Sequence, residues 1–199
     1  MTKTVAALLF IACSAGDHAM ADPGKSVKPA TPNGPREVAI VAGGCFWGME
    51  NVMRQAPGIA SIEVGYAGGK STSVKYEDVE NGDTGHAESV RIVFDPSVIS
   101  YEDLLLHYYF RGHDPTMWMH QNNDWGPQYR SEIFTTSDAQ QKAAVAVKER
   151  VDKSGKWKKP IVTIVAPATT FVRAEDYHQD YLLKHPNGYN DHYLRDFDF

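Results

Sequence analysis

From Arg36 onward the chain alternates short runs of period-2 hydrophobicity with stretches of helical spacing, the pattern of a layered domain that mixes strands and helices. Glu37 to Ala42 reads as an apolar strand running into Gly43 and Gly44. Residues 46–54 then place Phe46, Met49, Val52 and Met53 at helical spacing, until Pro57 and Gly58 stop the helix. Ile59 to Tyr66 and Glu88 to Phe94 alternate as strands separated by a polar loop. Ser100 with Asp103 caps a helix through Phe110, and a loop rich in Gly, Pro and Asn runs from Arg111 to Pro127. There follow a strand at Tyr129 to Thr135, a helix opened by Ser137 with Gln140 and closed near Gly155, and a β-branched strand at Ile161 to Val165. A short helix around Asp176 to Leu183 and an irregular aromatic tail complete the chain. The order, βαββαβ then αβ, predicts an α+β split-βαβ two-layer sandwich.

Composition narrows the classes. With 42% hydrophobic and 23% charged residues in 199, the chain sits at globular averages and is long enough to bury a core without disulfides. Lys and Arg number 20 against 25 Asp and Glu, a net charge of -5, and no stripe of basic residues could neutralise a phosphate backbone. Nucleic acid is not an expected partner. The apolar run from Val5 to Cys13 is far shorter than the roughly 20 residues that span a bilayer. It follows Lys3 and precedes Ala19-Met20-Ala21, the order of an export signal over residues 1–21, which predicts a periplasmic protein. Two alternatives stand beside it: a lipoprotein signal with Cys13 acylated, and a cytosolic N-terminus. Residues 22–35, rich in Pro and Gly, read as a flexible linker to a domain at 36–199.

Once the signal is removed, or Cys13 is lipidated, one thiol is left, Cys45. An unpaired cysteine in an oxidising compartment is a liability unless it is used. The pattern puts Cys45 on a strand-to-helix turn, where backbone N–H groups and the helix dipole favour an anion; this predicts a thiolate near neutral pH. Its plain alternative is a small buried hydrophobe. On the third strand, Val90, Ile92 and Phe94 share a face with Glu88, so a carboxyl group heads the buried side. Desolvation there raises its pKa and suits it to donate a proton; the alternative is a strand-end glutamate leaning into water. Tyr76 and Tyr129 are on this ground packing residues as readily as catalytic ones.

Gly43-Gly44-Cys45-Phe46-Trp47-Gly48 resembles the active-site signature of the peptide methionine-S-sulfoxide reductases, the A-type family. The likeness extends through Tyr76, Gly82 to Glu88, Asn123-Asp124, Gln128 to Ser131 and Ala174 to Gln179, covering roughly residues 37–189. It implies a ferredoxin-like α+β core with neither metal nor organic cofactor. Cys45 is then implied as the nucleophile on the sulfoxide sulfur, Glu88 as the acid protonating the oxygen, Tyr76 and Tyr129 as hydrogen-bond donors to that oxygen, and Asp124 as the residue ordering a water. Phe46 and Trp47 are implied to bind the substrate methyl group. Substrates would be oxidised proteins, peptides or free methionine-S-sulfoxide, in a role of protein repair under oxidative stress. Relatives often carry recycling cysteines in the tail after a Gly-Tyr pair, whereas here Gly188-Tyr189 is followed by Asn190. The sulfenic acid on Cys45 must then be reduced by an external thiol, thioredoxin-like or glutathione-like, and the enzyme is expected to be a monomer.

Rival classes have weaker support. A cysteine-dependent hydrolase needs a histidine base, which the pattern does not supply beside Cys45. A metal module of His178, His185 and His192 fits no common zinc spacing. Trp118 and Trp125 flank a rim loop and are expected either to touch the peptide around the oxidised residue or to pack.

Overall fold

A computed structural model describes residues 28–31 and 33–199; Cys13 and the predicted signal, residues 1–21, lie outside them. The strands are β1 (Glu37–Ala42), β2 (Ile59–Ala67), β3 (Ala87–Phe94), β4 (His120–Gln121), β5 (Asp124–Trp125), β6 (Glu132–Thr135), β7 (Ile164–Pro167) and β8 (Val172–Arg173). The helices are α1 (Phe46–Met53), α2 (Tyr76–Glu80), α3 (Tyr101–Leu104), α4 (Phe110–Gly112), α5 (Asp138–Lys153) and α6 (Tyr181–Lys184). One sheet runs in the order β7-β6-β1-β3-β2-β8. Its inner four strands are antiparallel throughout, with β3 inserted between β1 and β2 and α1 crossing from one to the other, which is the split-βαβ arrangement read from the sequence. β7 extends it parallel to β6, and β8 pairs antiparallel with β2 at the far edge.

Alternation along β3 decides which side faces the core. Val90, Ile92 and Phe94 are fully buried, while Arg91 turns to the other face and pairs with Glu63. Burial of each such side chain stabilises by roughly 1.5–3 kcal/mol. On the helix side they meet Met49 and Met53 of α1 and Ala144, Val147 and Val151 of α5. A smaller cluster of Ile40, Ala42, Ala67, Ala87 and Phe134 lies apart from that core. The caps form as read: Ser100 Oγ accepts from Asp103 N at 3.0 Å and Ser137 Oγ from Gln140 N at 3.2 Å.

Several elements differ from the pattern. The predicted helix from Ser100 widens into a π turn at Leu105–Tyr109 before α4. Leu104, Leu105, Leu106, Tyr109 and Phe110 are all buried, more than one α-helical face can present, and the wider turn brings the Tyr109 hydroxyl to the carbonyl of Ala42 at 2.9 Å. Tyr129 is not on a strand: Pro127 opens a 3-10 turn through Tyr129, and β6 begins at Glu132. β7 starts at Ile164 because Ile161 N bonds Asp152 and Val162 N bonds the carbonyl of Pro115. The polar stretch before β3 contains α2, and the loop after α4 folds into the β4–β5 hairpin, with Asn122 at φ 49 in its turn. The described end of the predicted linker is docked: Gly58 N bonds Lys28 O at 2.7 Å and Thr31 N bonds Asp95 at 2.7 Å.

Candidate active site

β1 delivers the chain to Gly44, which sits at φ 93, and a Cβ there would stand 2.6 Å from Cγ of Gln121. Only glycine suits both demands. Cys45 then caps α1. The turn is held from two sides, since the carbonyl of Ala42 accepts from Tyr109 and that of Gly43 lies 2.6 Å from His192 Nε2. The first N–H of α1, on Phe46, donates to Glu88 Oε2 at 2.9 Å, which ties the cysteine turn to the head of β3.

A cavity of about 250 Å³ opens above this turn, lined by Cys45, Phe46, Trp47, Tyr76, Glu88, Asp124, Tyr129 and Tyr189. All seven residues singled out in the sequence thus meet in one place. Tyr76 begins α2, whose first N–H donates to Glu175 Oε1 at 3.0 Å. Tyr129 ends its 3-10 turn, and Arg130 beside it bonds the carbonyls of Pro127 and Gly85 and the carboxylate of Glu132. Arg130 therefore locks the Tyr129 turn to the loop that enters β3. Asp124 arrives on β5. Tyr189, the eighth wall residue, comes from the tail, its hydroxyl 3.2 Å from each oxygen of Asp124. Sequence reasoning misses it because the tail has no period that would place one of its tyrosines at the site.

Burial governs the charges. It pushes the Glu88 carboxyl from an ordinary 4.5 up to about 8, and the Phe46 N–H only partly offsets this. Glu88 is therefore mostly protonated at neutral pH. Burial also pushes the Cys45 thiol well up, reinforced by Glu88 once that carboxyl ionises and opposed by the N–H of Trp47. The thiolate expected at neutral pH does not form: desolvation outweighs the end of an eight-residue helix, and the resting cysteine is a thiol. Tyr76 and Tyr129 are raised mainly by burial, so both keep their protons as donors. Asp124 is raised by burial and by Asp191.

Other candidates lie elsewhere. Trp118 and Trp125 are exposed and do not line the cavity; Trp125 stacks on His120 at 4.2 Å. His178, His185 and His192 do not form a metal-ligating group among the described residues. A larger groove of about 800 Å³ beside Arg36, Val38 and Gln140 has no cysteine in its lining.

A family model described as Peptide methionine sulfoxide reductase matches residues 37–197. The peptide methionine sulfoxide reductase MsrA of Mycolicibacterium paratuberculosis is 48% identical over 157 residues, 79% of this chain and 89% of that one. MsrA 1 of Mesorhizobium japonicum is 50% identical over 159 residues, 80% of this chain and 90% of that one. Among solved structures, reduced Mxr1 from Saccharomyces cerevisiae superposes with a TM-score of 0.77 at 38% identity, covering 86% of this chain and 100% of that one. Mxr1 in complex with Trx2 matches with a TM-score of 0.55 at 28% identity, covering 86% and 100%. Cavity, fold and sequence agree, and the chain belongs to the peptide methionine sulfoxide reductase family.

Proposed function

We propose that this reductase acts on methionine-S-sulfoxide, free or in proteins, through Cys45 and Glu88, and that an external dithiol restores it. The observation that carries the reading is the meeting of a buried thiol and a protonated carboxyl in one small cavity with an aromatic wall. Phe46 and Trp47 receive the methyl group, which leaves the sulfoxide oxygen toward Glu88, Tyr76 and Tyr129. The Cys45 sulfur attacks the substrate sulfur while Glu88 protonates the oxygen and the two phenols stabilise its charge. Two electrons pass from Cys45 to the substrate, the oxygen leaves as hydroxyl and ends on Cys45, and the thiol proton replaces the one Glu88 gave. Methionine departs and Cys45 is a sulfenic acid.

Cys45 is the one free cysteine among the described residues, and no cysteine follows it in the sequence. The sulfenic acid is attacked by an external thiol, giving water and a mixed disulfide, which a second thiol resolves. A thioredoxin-like dithiol supplies both, a choice supported by the complex of the related Mxr1 with Trx2. Residues 1–21 are read as an export signal to the periplasm, with lipidation at Cys13 the alternative; the order of Lys3, the apolar run Val5 to Cys13 and Ala19-Met20-Ala21 supports this reading. A cysteine hydrolase is disfavoured because no histidine lines the cavity. The test is turnover of separated sulfoxide epimers with a thioredoxin-like donor: the S epimer is reduced, and comparable rates on the R epimer would refute the assignment.

A further inference from the structure

The stretch Ala174 to Gln179 enters no step above, yet it lies directly behind the methyl-binding wall. Gln179 staples it to the sheet, accepting from Val64 N at 2.9 Å and donating to the carbonyls of Val64 and Ala174 at 3.0 and 2.9 Å. Glu175 accepts from the Tyr66 hydroxyl at 2.9 Å and from Tyr76 N at 3.0 Å. His178, 1% exposed, is thereby set among the rings of Phe46, Tyr76 and Tyr177, with centroids at 5.0, 4.7 and 4.2 Å.

The His178 ring makes one hydrogen bond, and it goes to the substrate pocket: the Trp47 indole N–H donates to His178 Nδ1 at 3.1 Å. An indole nitrogen only donates, so Nδ1 carries the lone pair and the proton of the neutral ring is on Nε2. Nε2 faces Glu175 Oε2 at 3.9 Å, and burial drives the ring further toward its neutral form. From the other side Trp47 stacks on Tyr181, with centroids 3.8 Å apart and planes at 12°. Stacking leaves a ring free to slide in its own plane; a hydrogen bond at its edge does not.

We propose that His178 is the positioning residue that sets the width of the methyl pocket, and hence the preference of this enzyme for an S-methyl over a larger S-alkyl sulfoxide. Its Nδ1 fixes the indole of Trp47 in plane, and the Phe46 ring packs against the imidazole at a tilt of 58°. Without that acceptor the half-buried indole N–H loses its hydrogen-bond partner and the ring turns to find another. The pocket wall then yields. One methylene in a well-formed apolar pocket is discriminated by roughly 10- to 200-fold.

The inference rests on the proposed reduction of methionine-S-sulfoxide, which wild-type turnover of the methyl substrate checks by itself. The test compares kcat/KM for methionine-S-sulfoxide and its S-ethyl homologue of the same configuration in wild type, His178→Leu and His178→Gln. Leucine removes the acceptor and is expected to lower the methyl-to-ethyl ratio by about five- to tenfold, through KM for the methyl substrate more than kcat. Glutamine, whose amide oxygen can accept the indole N–H, is expected to keep the ratio within about twofold of wild type. An unchanged ratio in a folded leucine variant, or a glutamine variant as unselective as leucine, would overturn the role. A readout in the wild type does not depend on either variant folding: nitrogen NMR at pH 7 should find Nδ1 bare and Nε2 protonated. A protonated Nδ1 would overturn the proposal.

Discussion

Replacing Glu88 with glutamine isolates the most consequential group in the cavity. The carboxyl is fully buried at the head of β3, accepts from Phe46 N–H at 2.9 Å, and has its pKa moved from 4.5 to about 8. An unfolded chain releases that proton above about pH 4.5, whereas the folded protein holds it until about pH 8. Folding therefore takes up one proton across this window. Wild-type stability falls as pH rises through it and levels off above the folded pKa. One pKa unit corresponds to about 1.4 kcal/mol, so the cost accumulated from pH 4 is about 3 kcal/mol at pH 7 and about 4.5 kcal/mol at pH 9. Glutamine has nearly the same shape, its amide oxygen can accept the Phe46 N–H, and it does not titrate. Glu88→Gln should then gain on wild type by these amounts when the two are unfolded in denaturant at pH 4, 7 and 9. Glu50, raised by burial to about 7, adds its own slope, but to both proteins equally. The same variant should lose about 100- to 10,000-fold in single-turnover rate, the usual loss on removing a general acid. Parallel stability curves between pH 4 and 9 would show that Glu88 is already ionised in the fold and cannot be the proton donor.

Activity of the wild type should decline as pH rises through about 8, because Glu88 must be protonated to act; a single-turnover rate flat to pH 10 would contradict this. Gly44→Ala places a Cβ 2.6 Å from Gln121 at φ 93 and should destabilise by about 2–3 kcal/mol, read as a lower urea midpoint. Mass analysis of the protein purified from an exporting host should find a mature N-terminus near Asp22; in the oxidised protein, a peptide linking Cys13 to Cys45 would overturn both the export reading and the single-thiol mechanism.

The inner sheet and the place of Cys45 were legible because both depend on local pattern. A strand, two glycines and a helix fix the cysteine turn, and period-2 alternation in β3 puts Glu88 on the same face as Val90. What local pattern cannot carry is the depth of burial. That depth turned the expected thiolate into a thiol, since the helix end is a weaker influence than desolvation. Tyr76, Asp124 and Tyr129 were reached through resemblance alone, for each sits on a short element held by distant partners: Glu175 under α2, Tyr189 against Asp124, and the Gly85 carbonyl, reached through Arg130, beside the Tyr129 turn. Tyr189 and His178 reach the site through the tail and the segment after β8, and no spacing within either segment encodes those contacts.

The central claim, that Cys45 takes the oxygen from the substrate and keeps it until an external thiol arrives, is tested most directly by one turnover without reductant. Protein incubated with excess methionine-S-sulfoxide, then trapped with dimedone and mapped by mass spectrometry, should release one methionine per chain and carry one adduct, on Cys45. Continued methionine release without added thiol, or an unmodified Cys45 after the burst, would contradict the account.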